Sequence, residues 1–455
     1  MNCDVPRNNM STLIIVANKN TNIKPYFVNL FTTKTERITR KPARMHLCEG
    51  HKCDVFFVVV IRHASIRNVT MEVYMSEVFY LEGVVQHYDW GGHYFIPELL
   101  GKEATAQPTA ELWLGVHPKG MGVLRDNQTT LADYLASHGM ALPFLLKVLD
   151  VRASLSIQVH PDKLQAEQGF ARENHAGVAL TAAHRNYKDD NHKPEVMVAL
   201  TPCVLLYGFS EVAQIIQRCQ PWPSLHWLVT ALQQDPLSAV YRRVMALLAD
   251  ELEATLAPLL RALLPLWRAG ELSGRSHLFW LARAASEHGA EACRDPGLLA
   301  LLMMNLVHVQ PGEAIFQPAR LPHAYLHGCN VELMANSDNV LRGGLTSKHV
   351  DVNELLAVVD VVPVTPLPVA QQALTPGVTR YQLPTDEFHL LRLSCHGGGT
   401  LPVLPAVGIA LNIGEACVVQ LAKRDYPLQQ GESVLLPAGQ SVVVSGESVD
   451  LFVAW

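Results

Sequence analysis

Hydrophobic period changes twice along this chain. Between Ser210 and about Met304 the apolar residues Leu252, Leu256, Leu259, Leu260, Leu263, Leu264 and Trp267 recur at three- and four-residue spacing, as in helices that bury one face. On either side the pattern is a short-range alternation of apolar and polar residues bounded by Pro and Gly, which predicts strands. A helical block inside strand-forming sequence implies a mainly β protein with an α-helical insert at 210–304. Pro221, Pro236, Pro258, Pro265, Gly270 and Pro296 punctuate the insert, and because Pro258 and Pro265 interrupt the Leu stripe it reads as core rather than as a zipper. The runs 305–309, 314–316 and 321–328, with Pro311-Gly312 turning into the second, have the layout of a small barrel. Residues 75–209 and 305–362 are assigned to that barrel. Residues 363–455, rich in Pro, Gly and Val and poor in convergent ionisable groups, form a second, structural one.

The first 74 residues differ from the rest. They hold 11 Lys and Arg against 5 Asp and Glu, whereas residues 75–455 hold 25 against 37. Apart from apolar patches at 13–17 and 55–61 this leader shows no sustained period, so it reads as poorly ordered, with Met75 as the functional start. His46, Cys48, His51 and Cys53 have a metal-ligand spacing, set against the simpler reading of a chance cluster. The overall charge of -6 offers no field for nucleic acid, and no apolar run reaches membrane-spanning length. Nine scattered cysteines, such as Cys203, Cys293 and Cys417 in apolar surroundings, indicate reduced thiols and a cytoplasmic protein.

Chemistry concentrates in a few stretches. In Leu155-Ser156-Ile157-Gln158-Val159-His160-Pro161 an extended chain turns Leu155, Ile157 and Val159 to one face, and Gln158 and His160 to the other, about 7 Å apart and within reach of one ion. In Asn191-His192-Lys193-Pro194-Glu195 the proline keeps Lys193 extended, so that it shares a face with Glu195. Lys147 interrupts the apolar run 143–149, where an ammonium is costly unless an anion meets it, or unless it snorkels from a sheet edge. His323, Tyr325 and His327 share a strand face, and spacing does not say which histidine is the ligand. The loop 336–349 carries Arg342 and Lys348, a donor fork and a point charge suited either to phosphate capture or to a solvated turn.

Together Tyr88-Asp89-Trp90-Gly91, Ala110-Glu111-Leu112-Trp113, Gln158-Val159-His160-Pro161, His192-Lys193-Pro194-Glu195, Pro322-His323-Ala324-Tyr325-Leu326 and Leu341-Arg342-Gly343-Gly344-Leu345-Thr346 resemble the type I phosphomannose isomerases, in order, from about Met75 to the C-terminus. The resemblance implies cupin-type barrels around a helical insert and one zinc ion held by Gln158, His160, Glu195 and His323. It implies an active-site arginine at Arg342 and pocket lysines at Lys147 and Lys193. Ser347 stands where many relatives have proline, and residues 1–74 have no counterpart. The implied reaction interconverts mannose 6-phosphate and fructose 6-phosphate through an enediol, for nucleotide-sugar (GDP-mannose) synthesis or mannose catabolism. Arg342, Lys193 and Glu332 are assigned to catalysis. Trp90, Glu111, Lys147, Tyr325 and Lys348 are assigned to the sugar phosphate. Mixed N/O ligands also admit Mn²⁺, Co²⁺ or Fe²⁺. A cupin-type metal oxygenase and a non-catalytic sugar-phosphate-binding regulator are the other classes considered, and the chain is expected to be a monomer.

Overall fold

The computed structural model describes residues 77–455 and, ahead of them, the strands Thr12–Ala17, Phe57–Arg62 and Glu72–Val73. The two apolar patches of the leader pair antiparallel, Thr12 opposite Arg62 and Ala17 opposite Phe57, and Glu72–Val73 adds a third strand. That pairing was not expected of a segment without sustained period. The His46/Cys48/His51/Cys53 cluster and Met75 lie outside the described residues.

The body is mainly β. At its centre runs the strand Phe144–Val151, buried at every position. Burial on both faces explains why its sequence is almost continuously apolar. One edge pairs with Glu111–His117, followed by Val84–Gln86, and the other with the 13-residue strand His323–Ala335. That long strand also pairs with Cys203–Phe209 along its first half and with Glu195–Ala199 along its second, so it touches nearly every element that carries a candidate residue. Lys147 therefore sits in a central strand, and the sheet-edge alternative for it does not hold.

A second sheet holds the C-terminal strands Gln371–Thr375, Val378–Tyr381, Leu390–His396, Gly408–Asn412, Ser433–Leu436 and Ser448–Ala454. It also contains Phe79–Glu82, paired with Ser433–Leu436, so the first strand of the body completes the sheet of the last third. One core runs between the two sheets, joining Leu112, Phe144, Val196 and Leu333 to Ile409, Leu435 and Phe452.

The insert has its own core. It contains Leu256, Leu259, Leu281 and Leu299, and it extends to Ile157, Val159 and Leu341 beside the candidate site. Its longest helix, Ala249–Arg268, runs without a break through Pro258 and Pro265, contrary to the interruption expected there. Both prolines are exposed, seven residues apart on the solvent face, and the Ala254 and Arg261 carbonyls they deprive of a donor are on exposed residues too. Carbonyls on the solvent face are open to water, while Leu252, Leu256, Leu259, Leu260 and Leu263 stay buried on the opposite face. Each fully buried leucine contributes roughly 1.5–3 kcal/mol, enough to carry the helix past two imperfect turns. Among the described residues no helix is long and apolar enough to cross a membrane, and the six described cysteines are free thiols.

Candidate metal centre and pocket

The run 155–161 is less regular than its alternation suggests, since only Gln158–Val159 is strand. Alternation still sorts the side chains: Ile157 and Val159 are fully buried in the core shared with the insert. Gln158 lies opposite His323 on one side and Arg342 on the other. Pro161 ends the strand, and Asp162 starts the helix Lys163–His175 by accepting from the Gln165 N–H at 2.8 Å while its own N–H donates to Gln165 Oε1 at 3.0 Å. His160 is thereby fixed between a strand and a capped helix.

His160, Glu195 and His323 converge, with one ligand atom from each lying within 4.8 Å of the others, all three buried. Glu195 Oε2 is 3.4 Å from His160 Nε2 and 3.1 Å from His323 Nε2. Each imidazole gives its other nitrogen to a backbone carbonyl, His160 Nδ1 to Asn339 at 2.7 Å and His323 Nδ1 to Leu321 at 3.0 Å. A carbonyl only accepts, so Nδ1 carries the proton and Nε2 offers a lone pair. His160 Nε2 is buried and has no hydrogen-bond donor or acceptor aligned with it. An orphaned imidazole lone pair facing a carboxylate is costly in a protein interior, and a divalent cation resolves the cost. Burial also pushes the His160 pKa down to about 4, keeping the ring neutral as a ligand must be. Burial opposes the charge on Glu195, but Lys193, with Nζ 2.8 Å from Oε1, and then His160 hold its carboxyl well below the usual range. The donor set of two imidazoles and a carboxylate fits zinc.

Beside this triad lies a cavity of about 90 Å³, lined by Glu111, Lys147, Leu149, Leu155, Gln158, Lys193, Glu195, His323, Ala324, Tyr325 and Glu332. Register sets its charged wall, because Lys147 lies directly opposite Glu332 on one neighbouring strand and Trp113 on the other. Its ammonium is 3.1 Å from Glu332 Oε1 and 5.2 Å from the Trp113 ring centroid. The other Glu332 oxygen accepts from Tyr325 Oη at 2.8 Å. Seven residues apart, Tyr325 and Glu332 belong on opposite faces of a regular strand. They meet because the long strand slips register between His327 and Tyr325 against its neighbour, near Gly328 with φ of +108°. Burial works against the Lys147 charge, yet Glu111 and Glu332 raise its pKa. Burial raises the Glu111 pKa against the pull of Lys147, while Trp113 Nε1 donates to its carboxylate.

Of the twelve residues singled out by sequence, nine meet here: His160 in the triad, and Glu111, Lys147, Gln158, Lys193, Glu195, His323, Tyr325 and Glu332 on the cavity wall. Trp90, Arg342 and Lys348 are not on that wall. Trp90 stacks on Tyr88 at 5.8 Å and packs beside the cluster that contains Leu149 and Tyr325. The Arg342 side chain is half-buried and, among the described residues, makes no hydrogen bond or ion pair, and burial lowers its pKa. Burial and then Arg342 lower the pKa of the exposed Lys348, so the two cations feel one another. The Arg342 loop rests on the insert. A Cβ on Gly344, with φ of +111°, would come within 2.4 Å of Gly297 Cα, and Asp295 accepts from the N–H groups of Gly297 and Thr346. His327 lies away from the triad, its Nδ1 3.2 Å from the Val151 carbonyl.

Sequence reasoning missed Trp113, Gln317 and Asn339. Gln317 Nε2 donates to the Tyr325 hydroxyl at 3.0 Å, which leaves that hydroxyl's one hydrogen for Glu332, and the signal for Gln317 is a lone polar residue closing the apolar run Ala314–Gln317. Asn339 supports His160 through its backbone, and its side chain ties down the Lys188 and Asp189 N–H groups, a role with no sequence signature.

Residues 78–212 match the family model described as phosphomannose isomerase type I, catalytic domain. The chain is 36% identical over 386 residues to the mannose-6-phosphate isomerase of Escherichia coli (strain K12), covering 79% of this chain and 94% of that one. The chain belongs to the type I phosphomannose isomerase family. It is 30% identical to the human mannose-6-phosphate isomerase, over 80% of this chain and 94% of the human one. The crystal structure of a mannose 6-phosphate isomerase bound with zinc and yttrium superposes with a TM-score of 0.75 at 33% identity, covering 83% of this chain and 98% of that one. The apo form from Salmonella typhimurium gives 0.75 at 32% identity, covering 84% and 99%. The cupin fold of these phosphomannose isomerases is thus the fold of this chain. The matched span holds Glu111, Lys147, Gln158, His160, Lys193 and Glu195, and the long strand beyond the insert supplies His323, Tyr325 and Glu332.

Proposed function

We propose that this chain is a zinc-dependent aldose–ketose isomerase that interconverts mannose 6-phosphate and fructose 6-phosphate, with Gln158, His160, Glu195 and His323 as ligands of one zinc ion. The reading is carried by the buried His160/Glu195/His323 triad with its unpartnered Nε2, in a chain of this family. Zinc, when bound, supplies a Lewis acid for sugar oxygens. The remaining chemistry falls to the protein. Moving a proton between C2 and C1 of the open-chain sugar passes through an enediol, so the site must take the proton from one carbon, hold the developing oxyanion and return the proton to the other. Glu332 carries the proton in this reading, which is supported by its place on the cavity wall with each carboxylate oxygen held by one donor, Lys147 or Tyr325. Lys193, held by Glu195, is a donor and stabilises the oxyanion, or loses its proton and takes the role of base. Glu111, Lys147, Tyr325 and Trp90 bound the sugar. Arg342 and Lys348 give the phosphate two cations, and Arg342 meets no competing carboxylate among the described residues. The enzyme works as a monomer in the cytoplasm, and its product feeds nucleotide-sugar synthesis or mannose breakdown. A coupled assay for fructose 6-phosphate formed from mannose 6-phosphate tests the reading. Activity should vanish on exhaustive chelation and return with zinc, and full activity after chelation would overturn it.

A further inference from the structure

A second cavity, larger than the metal pocket, lies away from it. It has a volume of about 440 Å³ and lies at the seam between the insert and the β body, lined by Ser210, Gln214, Gln217, Arg218, His277, Asn305 and Leu306. Its wall contains no Asp or Glu, and among the described residues no carboxylate pairs with Arg218. The guanidinium is held by neutral partners. Nη1 donates to the Leu302 carbonyl and, at 3.4 Å, to that of Met304, and Nη2 is 3.4 Å from Ser210 Oγ. Three of its five N–H groups are used, two of them on long bonds, and no counter-ion neutralises the charge. His277 Nε2 donates to the Met304 carbonyl at 2.9 Å, which leaves Nδ1 an acceptor. The Asn305 amide gives its hydrogens to the carbonyls of Tyr207, Phe209 and Val364, which leaves its oxygen an acceptor as well.

We propose that this seam cavity is a second ligand site, for one phosphate-class oxyanion, either free or as a small hydroxylated monoester. An uncompensated guanidinium with a serine and two glutamines supplies donors for the oxyanion, and His277 Nδ1 and Asn305 Oδ1 accept from a P–OH or sugar hydroxyl. The neighbouring histidines are neutral, so Arg218 is the cation of the site. Burial and then Arg218 push His277 down to about 4, and burial and then Arg275 lower His308. The site is also connected. Leu302 and Met304 sit at the end of the helix Gly297–Met303, whose first residue packs under Gly344 of the Arg342 loop. A ligand that draws Arg218 and His277 off those carbonyls loosens the support of that loop.

The test is hydrogen–deuterium exchange by mass spectrometry on the full-length, zinc-loaded chain, with inorganic phosphate, sn-glycerol 3-phosphate and sulfate as probes. Phosphate or the glycerol ester should slow exchange in peptides covering 210–219 and 277–282. Sulfate, which has no proton to donate near neutral pH, should do so more weakly. Protection by both phosphates assigns a monoester site, and protection by inorganic phosphate alone a free-ion site. Because Arg218→Gln removes bonds to the helix end and can unfold the seam, the decisive variant is Gln214→Glu. Gln214 is exposed and one turn before Arg218, so the new carboxylate pairs with the guanidinium and occupies the anion's place. Protection in those peptides should be lost while the thermal melt stays in place. The proposal falls if wild type shows no such protection, if Gln214→Glu keeps it at the same phosphate concentrations, or if it is confined to peptides of the metal pocket.

Discussion

The two large sheets of this molecule are filled differently. In the sheet around Phe144–Val151 the buried side chains include Glu111, Lys147, Glu195, His323 and Glu332. Among residues 363–455 the buried polar residues are Asn412 and Ser433, both neutral and both bonded to backbone, Asn412 to the Glu415, Leu428 and Gln429 carbonyls and Ser433 to that of Leu81. Burying charge is costly, and an ion pair recovers the cost only with good geometry and further hydrogen bonds. A fold that needs none in its C-terminal sheet does not need Glu111, Lys147, Glu195 and Glu332 in its other sheet for stability. The excess belongs to chemistry.

That contrast is open to test, and the largest effect is expected at the triad. His323→Ala removes one of two imidazoles and should abolish both stoichiometric zinc, read by elemental analysis, and isomerase turnover, by about 10³-fold or more. Retained zinc and turnover would mean that the triad is packing. The next effect separates charge kept for function from charge kept for stability. Glu332→Gln takes from the buried Lys147 ammonium the carboxylate it bonds, leaving Glu111 as the nearby counter-charge, and should cost about 3–5 kcal/mol in denaturant unfolding as well as activity. The double variant Lys147→Met/Glu332→Leu removes both charges, should recover most of that stability, and should stay inactive. A double variant as unstable as Glu332→Gln would place the pair among the structural elements.

How much of this was legible depends on what each residue's signal requires. Gln158, His160, Lys193 and Glu195 sit in short segments where a proline fixes an extended backbone, so alternation alone put each pair on one face. The resemblance favours His323 over His327, and the fold separates the two in space; both share a parity, so only strand register distinguishes them. Tyr325 and Glu332 share a wall through a register slip that no local pattern records. Trp113 and Asn339 act across strands or through backbone carbonyls, which carry no residue type at all. The helical insert is visible in its period, yet Pro258 and Pro265 predict breaks that the structure lacks, because sequence does not show that both face water. The pairing of Phe79–Glu82 with Ser433–Leu436 joins residues some 350 positions apart, and nothing local specifies it.

The smallest expected effect sharpens the comparison from its quiet side. Asn412→Leu keeps approximate volume but deletes the amide that serves three carbonyls and accepts from the Gly414 N–H at 3.1 Å. Two of the carbonyls, those of Leu428 and Gln429, lie at the turn that leads to Ser433–Leu436, which pairs with Phe79–Glu82, so the loss is felt where the C-terminal sheet receives the first strand of the body. Leaving such groups without a donor should cost about 1–3 kcal/mol in denaturant unfolding. No charged group of the metal pocket lies in this sheet, so kcat/KM of the folded variant should match wild type. A folded Asn412→Leu protein with full zinc and a tenfold lower kcat/KM would show that the C-terminal sheet shapes the pocket through the shared core of Phe144 and Phe452. The division between a chemical unit and a structural one would then have to be withdrawn.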